Sequence, residues 1–234
     1  MTGEEVEQIA DHLTKTYPDQ PWGVLVRFMC WTGLRTGEVA GLNVGDVDLM
    51  RSVLHVRRTR SVRGGVWSVN TPKSGKPRTV PLMPWVKDDL TAYLANHPSN
   101  ANPDAPLWPG TRPGAAGGSP KAKTQRSGSL DFSSPWEATT FRRRRFKPAL
   151  TAVGLPEAVR LHDCRHTFAS LAASKGVPSA QVAKWMGHSS DVITREIYTH
   201  LFDADTARHA ERMGAGNRPR SIPSATVSEL RVTS

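Results

Sequence analysis

The sequence predicts a mixed α+β fold, mainly helical, with a small antiparallel β-sheet near the N-terminal third. Three observations carry that prediction. Over residues 3–16, Val6, Ile9 and Leu13 recur at helical spacing, and the acids Glu4, Glu5 and Glu7 fill the first turn and a half. From Val44 to Val80 the pattern changes to polar–apolar alternation around a Gly64-Gly65 turn, which reads as a hairpin. From Ser134 onward helical spacing returns and persists to about Met213.

After Pro18 ends the first helix, a second opens at Pro21 and runs through PWGVLVRFMCWTG to Gly33. It is mostly apolar, which predicts burial. A third, short helical pattern covers Leu34–Leu42, with Arg35 standing between apolar segments and so not fully solvated. VDLMRSVLHVRR and GGVWSVNT form the predicted hairpin. TPKSGKPRTVPL supplies a second turn at Ser74-Gly75-Lys76 and a short strand at Arg78–Leu82, which puts Lys73 at a loop tip or strand end. Pro84 starts another helix, PWVKDDLTAYLANH, with Trp85, Leu90 and Leu94 as its apolar positions.

Residues 97–133 are rich in Pro, Gly, Ser and Lys and are expected to form a long flexible basic loop. A helix resumes near Ser134-Pro135 and carries Arg142, Arg143, Arg144 and Arg145. Four consecutive arginines go all round a helix, so some meet solvent or phosphate and some need partners. Further helices are predicted over about 162–175, stopped by Gly176, over about 178–186, begun by Pro178, and from about 190 through Tyr198.

A formal net charge of +10 over 234 residues calls for a polyanionic partner, most simply nucleic acid. The charge is segregated. The first fifty residues hold eight acids (Glu4, Glu5, Glu7, Asp11, Asp19, Glu38, Asp46, Asp48) against Lys15, Arg27 and Arg35, whereas Arg57 to Arg78 contains seven bases and no acid. Two cysteines, Cys30 and Cys164, are too few for a disulfide framework, which points to a reducing cytoplasm. No signal peptide is visible, and no apolar run approaches membrane-spanning length.

The densest chemistry lies between Leu161 and His200, where His162, Arg165, His188 and Tyr198 occur. His162 and His166 at i, i+4 suggest zinc, but the metalloprotease pattern needs Glu after the first His and Asp163 stands there instead. No metal and no cofactor is expected. Taken singly, each of these residues has an ordinary reading: a salt-bridging arginine, a solvated lysine, a core tyrosine. Their order and spacing together do not.

Thr32-Gly33-Leu34-Arg35-Thr36-Gly37-Glu38 resembles the first active-site box of the tyrosine recombinases, the phage-integrase family. The resemblance continues in order. Lys73 in TPKSGKPR resembles the β-hairpin lysine, Leu161-His162-Asp163-Cys164-Arg165-His166 the HxxR box, Trp185-Met186-Gly187-His188 the LGH box, and Tyr198 in REIYTH the nucleophile. It implies a tyrosine-recombinase catalytic-domain fold over residues 1–213, with 214–234 a tail for docking on a neighbouring protomer. It also implies that the family's N-terminal core-binding domain is absent from this chain.

The implied activity is that of a site-specific DNA recombinase, which cleaves and rejoins strands through a covalent 3′-phosphotyrosine without metal or ATP. In that reading Arg35 and Arg165 clamp the non-bridging phosphate oxygens, on which charge builds during in-line attack. His162 and His188 add hydrogen bonds or assist proton transfer, and Lys73 is the general acid toward the leaving 5′-oxygen. Tyr198 attacks; a phenol's unperturbed pKa is about 10, so nearby positive charge must favour the phenolate. Glu38, three residues after Arg35, would orient its guanidinium. Arg57, Arg58, Arg60, Arg63, Lys76, Arg78 and Arg142–Arg145 would contact phosphates. Double-stranded DNA is the expected partner, with a homotetramer on paired sites and a cytoplasmic, nucleoid-associated location in a bacterium. The rival readings are a type IB topoisomerase, distinguished by relaxation without site preference, and a non-catalytic DNA-binding relic of the fold.

Overall fold

The computed structural model describes residues 1–72, 75–112 and 129–187. In chain order the elements are α1 (Gly3–Thr16), α2 (Trp22–Thr32), α3 (Thr36–Gly41), β1 (Val47–Asp48), β2 (Val53–Val56), β3 (Thr59–Arg63), β4 (Val66–Asn70), β5 (Arg78–Pro81), α4 (Pro84–Ala95), β6 (Pro109–Thr111), β7 (Leu130–Pro135), α5 (Ala138–Phe141), α6 (Lys147–Ala152), α7 (Asp163–Ser174) and α8 (Ser179–Met186). A turn of π-helix, Arg142–Phe146, joins α5 to α6. Lys73, Ser74, residues 113–128 and everything from His188 onward, including the helix expected after 190 and the tail, lie outside the described residues.

α2 is the hub. Its sequence is apolar apart from Arg27 and Thr32, and Trp22, Leu25, Val26, Phe28, Met29 and Cys30 are all buried. Three helices pack on it: α1, α4 and α7. α1 starts on a capping box, in which the Glu5 N–H donates to Thr2 Oγ1 (3.1 Å) and the Thr2 N–H to Glu5 Oε2 (2.7 Å). It turns Val6, Ile9, Ala10 and Leu13 inward, and Arg27 of α2 holds it from outside through Glu7 (2.6 Å) and Asp11 (2.5 Å). Against α7, the buried thiols of Cys30 and Cys164 meet as free cysteines. Burial, with a hydrogen bond to Cys164, pushes the Cys30 thiol well above its ordinary range, so it is no nucleophile.

The alternation between Val44 and Val80 resolves into two sheets where the sequence reads as one hairpin. β1, β2 and β5 form an antiparallel sheet that delivers Leu54, Val56 and Val80 to the core. β3 and β4 form a separate hairpin, with Arg63 opposite Val66 across a Gly64-Gly65 turn, both at positive φ. The chain leaves the first sheet at Arg57-Arg58 because these side chains are drawn onto Asp46, Arg58 at 2.6 Å and Arg57 at 3.4 Å.

The stretch 97–133, expected as a flexible loop, is structured at both ends. Leu107 and Trp108 are fully buried, and Trp108 stacks on Tyr93 (5.0 Å, 14°) and tilts against Phe28 (5.1 Å). Tyr93 donates its hydroxyl to the Leu107 carbonyl (2.6 Å), and β6 pairs with β7. A polar average concealed two large apolar residues whose burial decides the matter. The helix expected at Ser134-Pro135 begins later for the same reason: β7 runs through Pro135, and Glu137 caps α5 by accepting from the Thr139 and Thr140 N–H groups (2.8 and 2.7 Å). On α4 the buried positions are Val86 and Leu90, while Trp85 stays 37% exposed, edge-on to Trp31.

A second, smaller apolar cluster lies between α7 and α8, built on Phe168, Ala169, Val182 and Met186. It sets α8 against the rest of the molecule. Among the described residues no helix is long and apolar enough to cross a membrane.

Replacing Trp108 by Ala should cost about 3–5 kcal/mol of unfolding free energy in a urea titration, because its cavity opens beside α2. Met50→Ser, at a position 94% exposed, should stay within about 0.5 kcal/mol.

Candidate active site

The site is assembled at the end of α2. Gly33 adopts φ +65° there, and an added Cβ would overlap the Phe168 ring of α7, so only glycine fits. The turn aims the Gly33 carbonyl at Arg165 Nη1 (2.6 Å) and sets Arg35, in extended conformation, at the N-terminus of α3.

One helical turn on, Glu38 is completely buried. It accepts four hydrogen bonds: from the Arg35 N–H (2.9 Å), from Arg35 Nη1 (3.1 Å), and from Nη1 and Nη2 of Arg78 (2.8 and 2.7 Å). Burial alone would raise its carboxyl. Its bonds and charge pairing with Arg78, joined by those with Arg35, outweigh that and hold it below the ordinary carboxylate range.

The other ends of these arginines meet α8. Its last carbonyls have no intrahelical partner, and three consecutive ones each take a different guanidinium. Arg78 Nε donates to Trp185 O (2.7 Å), Arg165 Nη2 to Met186 O (2.8 Å) and Arg35 Nη2 to Gly187 O (3.1 Å). Gly187 closes α8 at φ +67°, where an added Cβ would come within 2.9 Å of the Arg78 guanidinium. The residue after it in sequence is His188.

Arg35, from the start of the chain, and Arg165, from α7, are thus brought to one place, with Glu38 beside them. Arg165 is only 3% exposed, and burial, with the charges of Arg35 and Arg78 nearby, lowers its guanidinium to about 9. It is cationic at neutral pH. His162 stands at the N-terminal boundary of α7, makes no capping bond with its side chain and is exposed, with the His166 ring 5.0 Å away. Partial burial, then the charges of His166 and Arg165, depress its imidazole, so it is neutral at pH 7. Lys73, His188 and Tyr198 lie outside the described residues. Among those described, no group of three or more His, Cys, Asp or Glu is placed to hold a metal ion.

The basic residues expected to face phosphates divide. Arg57, Arg63, Lys76, Arg142, Arg143 and Arg144 are exposed. Arg58 and Arg60 are largely engaged with the protein, Arg58 on Asp46 and Arg60 on Asn43 Oδ1 (2.8 Å) and Ala40 O (3.3 Å). Arg78 and Arg145 correct the expectation. The Arg78 side chain is 9% exposed and all three of its nitrogens are bonded inside the protein. Arg145 is buried by the π-helical turn, which rotates it under the surface to sit 4.3 Å over the Tyr17 ring. Sequence reading missed the internal role of Arg78, since nothing local separates it from its basic neighbours. It also missed the three carbonyls, for which the only signal was the glycine ending α8.

The chain matches the sequence profile of the phage integrase family over residues 1–205. It is 30% identical over 194 residues to the prophage phiRv2 integrase of Mycobacterium tuberculosis, covering 81% of this chain and 44% of that one. It is 30% identical over 199 residues to the tyrosine recombinase XerD of Corynebacterium glutamicum, covering 84% and 52%. The chain therefore spans about half the length of the curated relatives it matches. Among solved structures, the Tn1549 transposon integrase in complex with transposon right end DNA superposes with a TM-score of 0.69 at 20% identity, over 92% of this chain and 66% of that one, which establishes the shared fold.

Glu38→Gln leaves the largely buried Arg78 guanidinium and the partly buried one of Arg35 without their carboxylate and should cost about 3–5 kcal/mol of stability at pH 7. Because the folded carboxyl titrates below its ordinary value of 4.5, its contribution is complete above that pH and is lost as pH falls through the depressed value. The gap between the parent and Glu38→Gln in urea unfolding should therefore narrow below pH 4.5.

Proposed function

Because this chain belongs to the phage integrase family, we propose that it is the DNA-cleaving and rejoining part of a site-specific recombinase, working through a covalent 3′-phosphotyrosine at Tyr198. The observation that carries this reading is the convergence of Arg35 and Arg165 beside the segment that leads into His188.

In this mechanism Arg35 and Arg165 hold the non-bridging oxygens of one phosphodiester. Both are fixed by protein bonds before DNA arrives, so little reorganisation is needed as charge develops in the transition state. His162, neutral at pH 7, can accept a proton from or donate a hydrogen bond toward the reacting phosphate. His188 stands next to Gly187 in sequence and, by the family resemblance, would add a hydrogen bond to the same phosphate. Tyr198 attacks phosphorus, its proton leaving to a neighbouring base. The P–O bond to the 5′-oxygen breaks, and Lys73 protonates that oxygen. Rejoining reverses the steps, with the strand's 5′-hydroxyl attacking the phosphotyrosine. Bond energy is kept in the protein–DNA link, so the chemistry needs no ATP and no metal. Glu38 keeps Arg35 in register.

Exposed Arg57, Arg63, Arg142, Arg143 and Arg144 would contact neighbouring phosphates and carry no base specificity. Paired sites imply two protomers on each, hence a tetramer on DNA, acting with the chromosome in the cytoplasm.

The test is a duplex pool randomised around one 5′-bridging phosphorothiolate, which traps the covalent complex because the departing thiolate rejoins poorly. The parent chain should give a protein–DNA adduct in the presence of EDTA, and Tyr198→Phe none; no adduct from the parent would sink the reading. Separately, Arg142→Gln combined with Arg143→Gln should flatten the plot of log affinity against log salt by about 0.9 for each phosphate that is no longer neutralised. An unchanged slope would remove these residues from the DNA surface.

A further inference from the structure

Arg78 sits among bases that the sequence assigns to phosphate contact, yet its guanidinium is spent inside the protein. Three independent parts of the molecule meet on it. Arg78 is the first residue of β5, paired in register with Val56, and lies five positions after Lys73. Its Nη1 and Nη2 grip both oxygens of Glu38, the same carboxylate that holds Arg35. Its Nε takes the Trp185 carbonyl, two residues before Gly187, and its guanidinium packs over Gly187 closely enough to exclude a side chain there.

We infer that Arg78 is a positioning residue of the reaction: it holds Glu38 and the end of α8 so that Arg35 and Arg165 address one phosphate, and it does not itself contact DNA. This rests on the recombinase reading above. The physical reason is competition for Glu38. With Arg78 present, the carboxylate has a bidentate partner and takes only one Nη bond from Arg35, whose side chain remains 25% exposed. Without Arg78, a fully buried carboxylate would be left with Arg35 as the one cation bonded to it among the described residues. Arg35 would then be pulled into a bidentate pair, away from Gly187 and from the phosphate. A lysine at 78 could not replace the arginine, because one ammonium cannot span Trp185 O and both Glu38 oxygens with the same planar geometry.

The experiment reads the arginine side chains directly, in the full chain labelled with nitrogen-15 arginine, alongside adduct formation on the phosphorothiolate pool. In the parent, the Arg78 Nε–H should exchange slowly and stay in place when duplex DNA is added, while the signals of Arg35 and Arg165 move. In Arg78→Gln the Arg35 signal should shift before any DNA is present. At saturating DNA, adduct formation should slow roughly 100-fold, the scale of a small misplacement of reacting groups, with the salt dependence of binding unchanged. Arg78→Lys should behave like Arg78→Gln. The double variant Arg78→Gln/Glu38→Gln removes both charges together, so it should fold better than either single variant and return part of the lost rate. An unmoved Arg35 signal in Arg78→Gln, a DNA-induced shift at Arg78 in the parent, or a salt dependence shallower by about 0.9 would each overturn the inference. Failure of the parent to form any adduct would defeat the recombinase reading instead, and the arginine signals would still decide the role of Arg78.

Discussion

The end of α8 is the constraint on which the site depends. A helix C-terminus offers unpaired carbonyls and the negative end of a dipole, and cations are favoured there. In this protein three successive carbonyls each hold a different arginine, supplied by α7, by β5 and by the start of α3. None of these elements is near another in sequence. The helix end therefore acts as a template that gathers guanidiniums, and the guanidiniums in turn hold Gly187 in place.

Gathering like charges is unfavourable, and Glu38 is what makes it tolerable. It is buried without any exposure, and its two oxygens are saturated by four donors. Such a network is stable only as a unit. A carboxylate at 38 without its arginines, or the arginines without it, would leave a buried charge unpaired. The glycines at 33 and 187 belong to the same unit, since each puts a carbonyl where an arginine needs it and each has a side chain of a neighbour where a Cβ would stand.

Much of this was legible in the sequence, and the rest failed for identifiable reasons. α1 and α2 followed from periodicity, from the acids of the first turn and from their Pro and Gly ends, because local rules and tertiary packing agree there. The residues Arg35, Glu38, His162 and Arg165 stood out through order and spacing. The division of 44–80 into two sheets was not legible, since alternation marks strands without saying which strands pair, and a buried Asp46 that captures Arg57 and Arg58 sets the break. Trp108 was hidden by the polar composition around it. Arg145 was misread because a π-turn shifts the helical phase that spacing assumes. Arg78 was misread because a basic residue in a basic stretch has no local mark of burial; its partners lie 40 and 107 positions away.

The charge balance of the cluster connects its architecture to the proposed chemistry. Arg35, Arg78, Arg165 and Glu38 together carry a net charge of +2, held at short range in a largely buried setting. A phosphodiester brings one negative charge, and in-line attack by a phenolate raises that toward two. In the proposed reaction the cluster would be over-charged for the bound substrate and matched to the transition state, which is the condition for differential stabilisation. The depressed value at Arg165 reflects burial first and then the charges of Arg35 and Arg78, which Glu38 offsets only in part. Fixing the arginines on the carbonyls of α8 keeps the repulsion among them from being relaxed by movement, so in the proposed reaction a phosphate would relieve it.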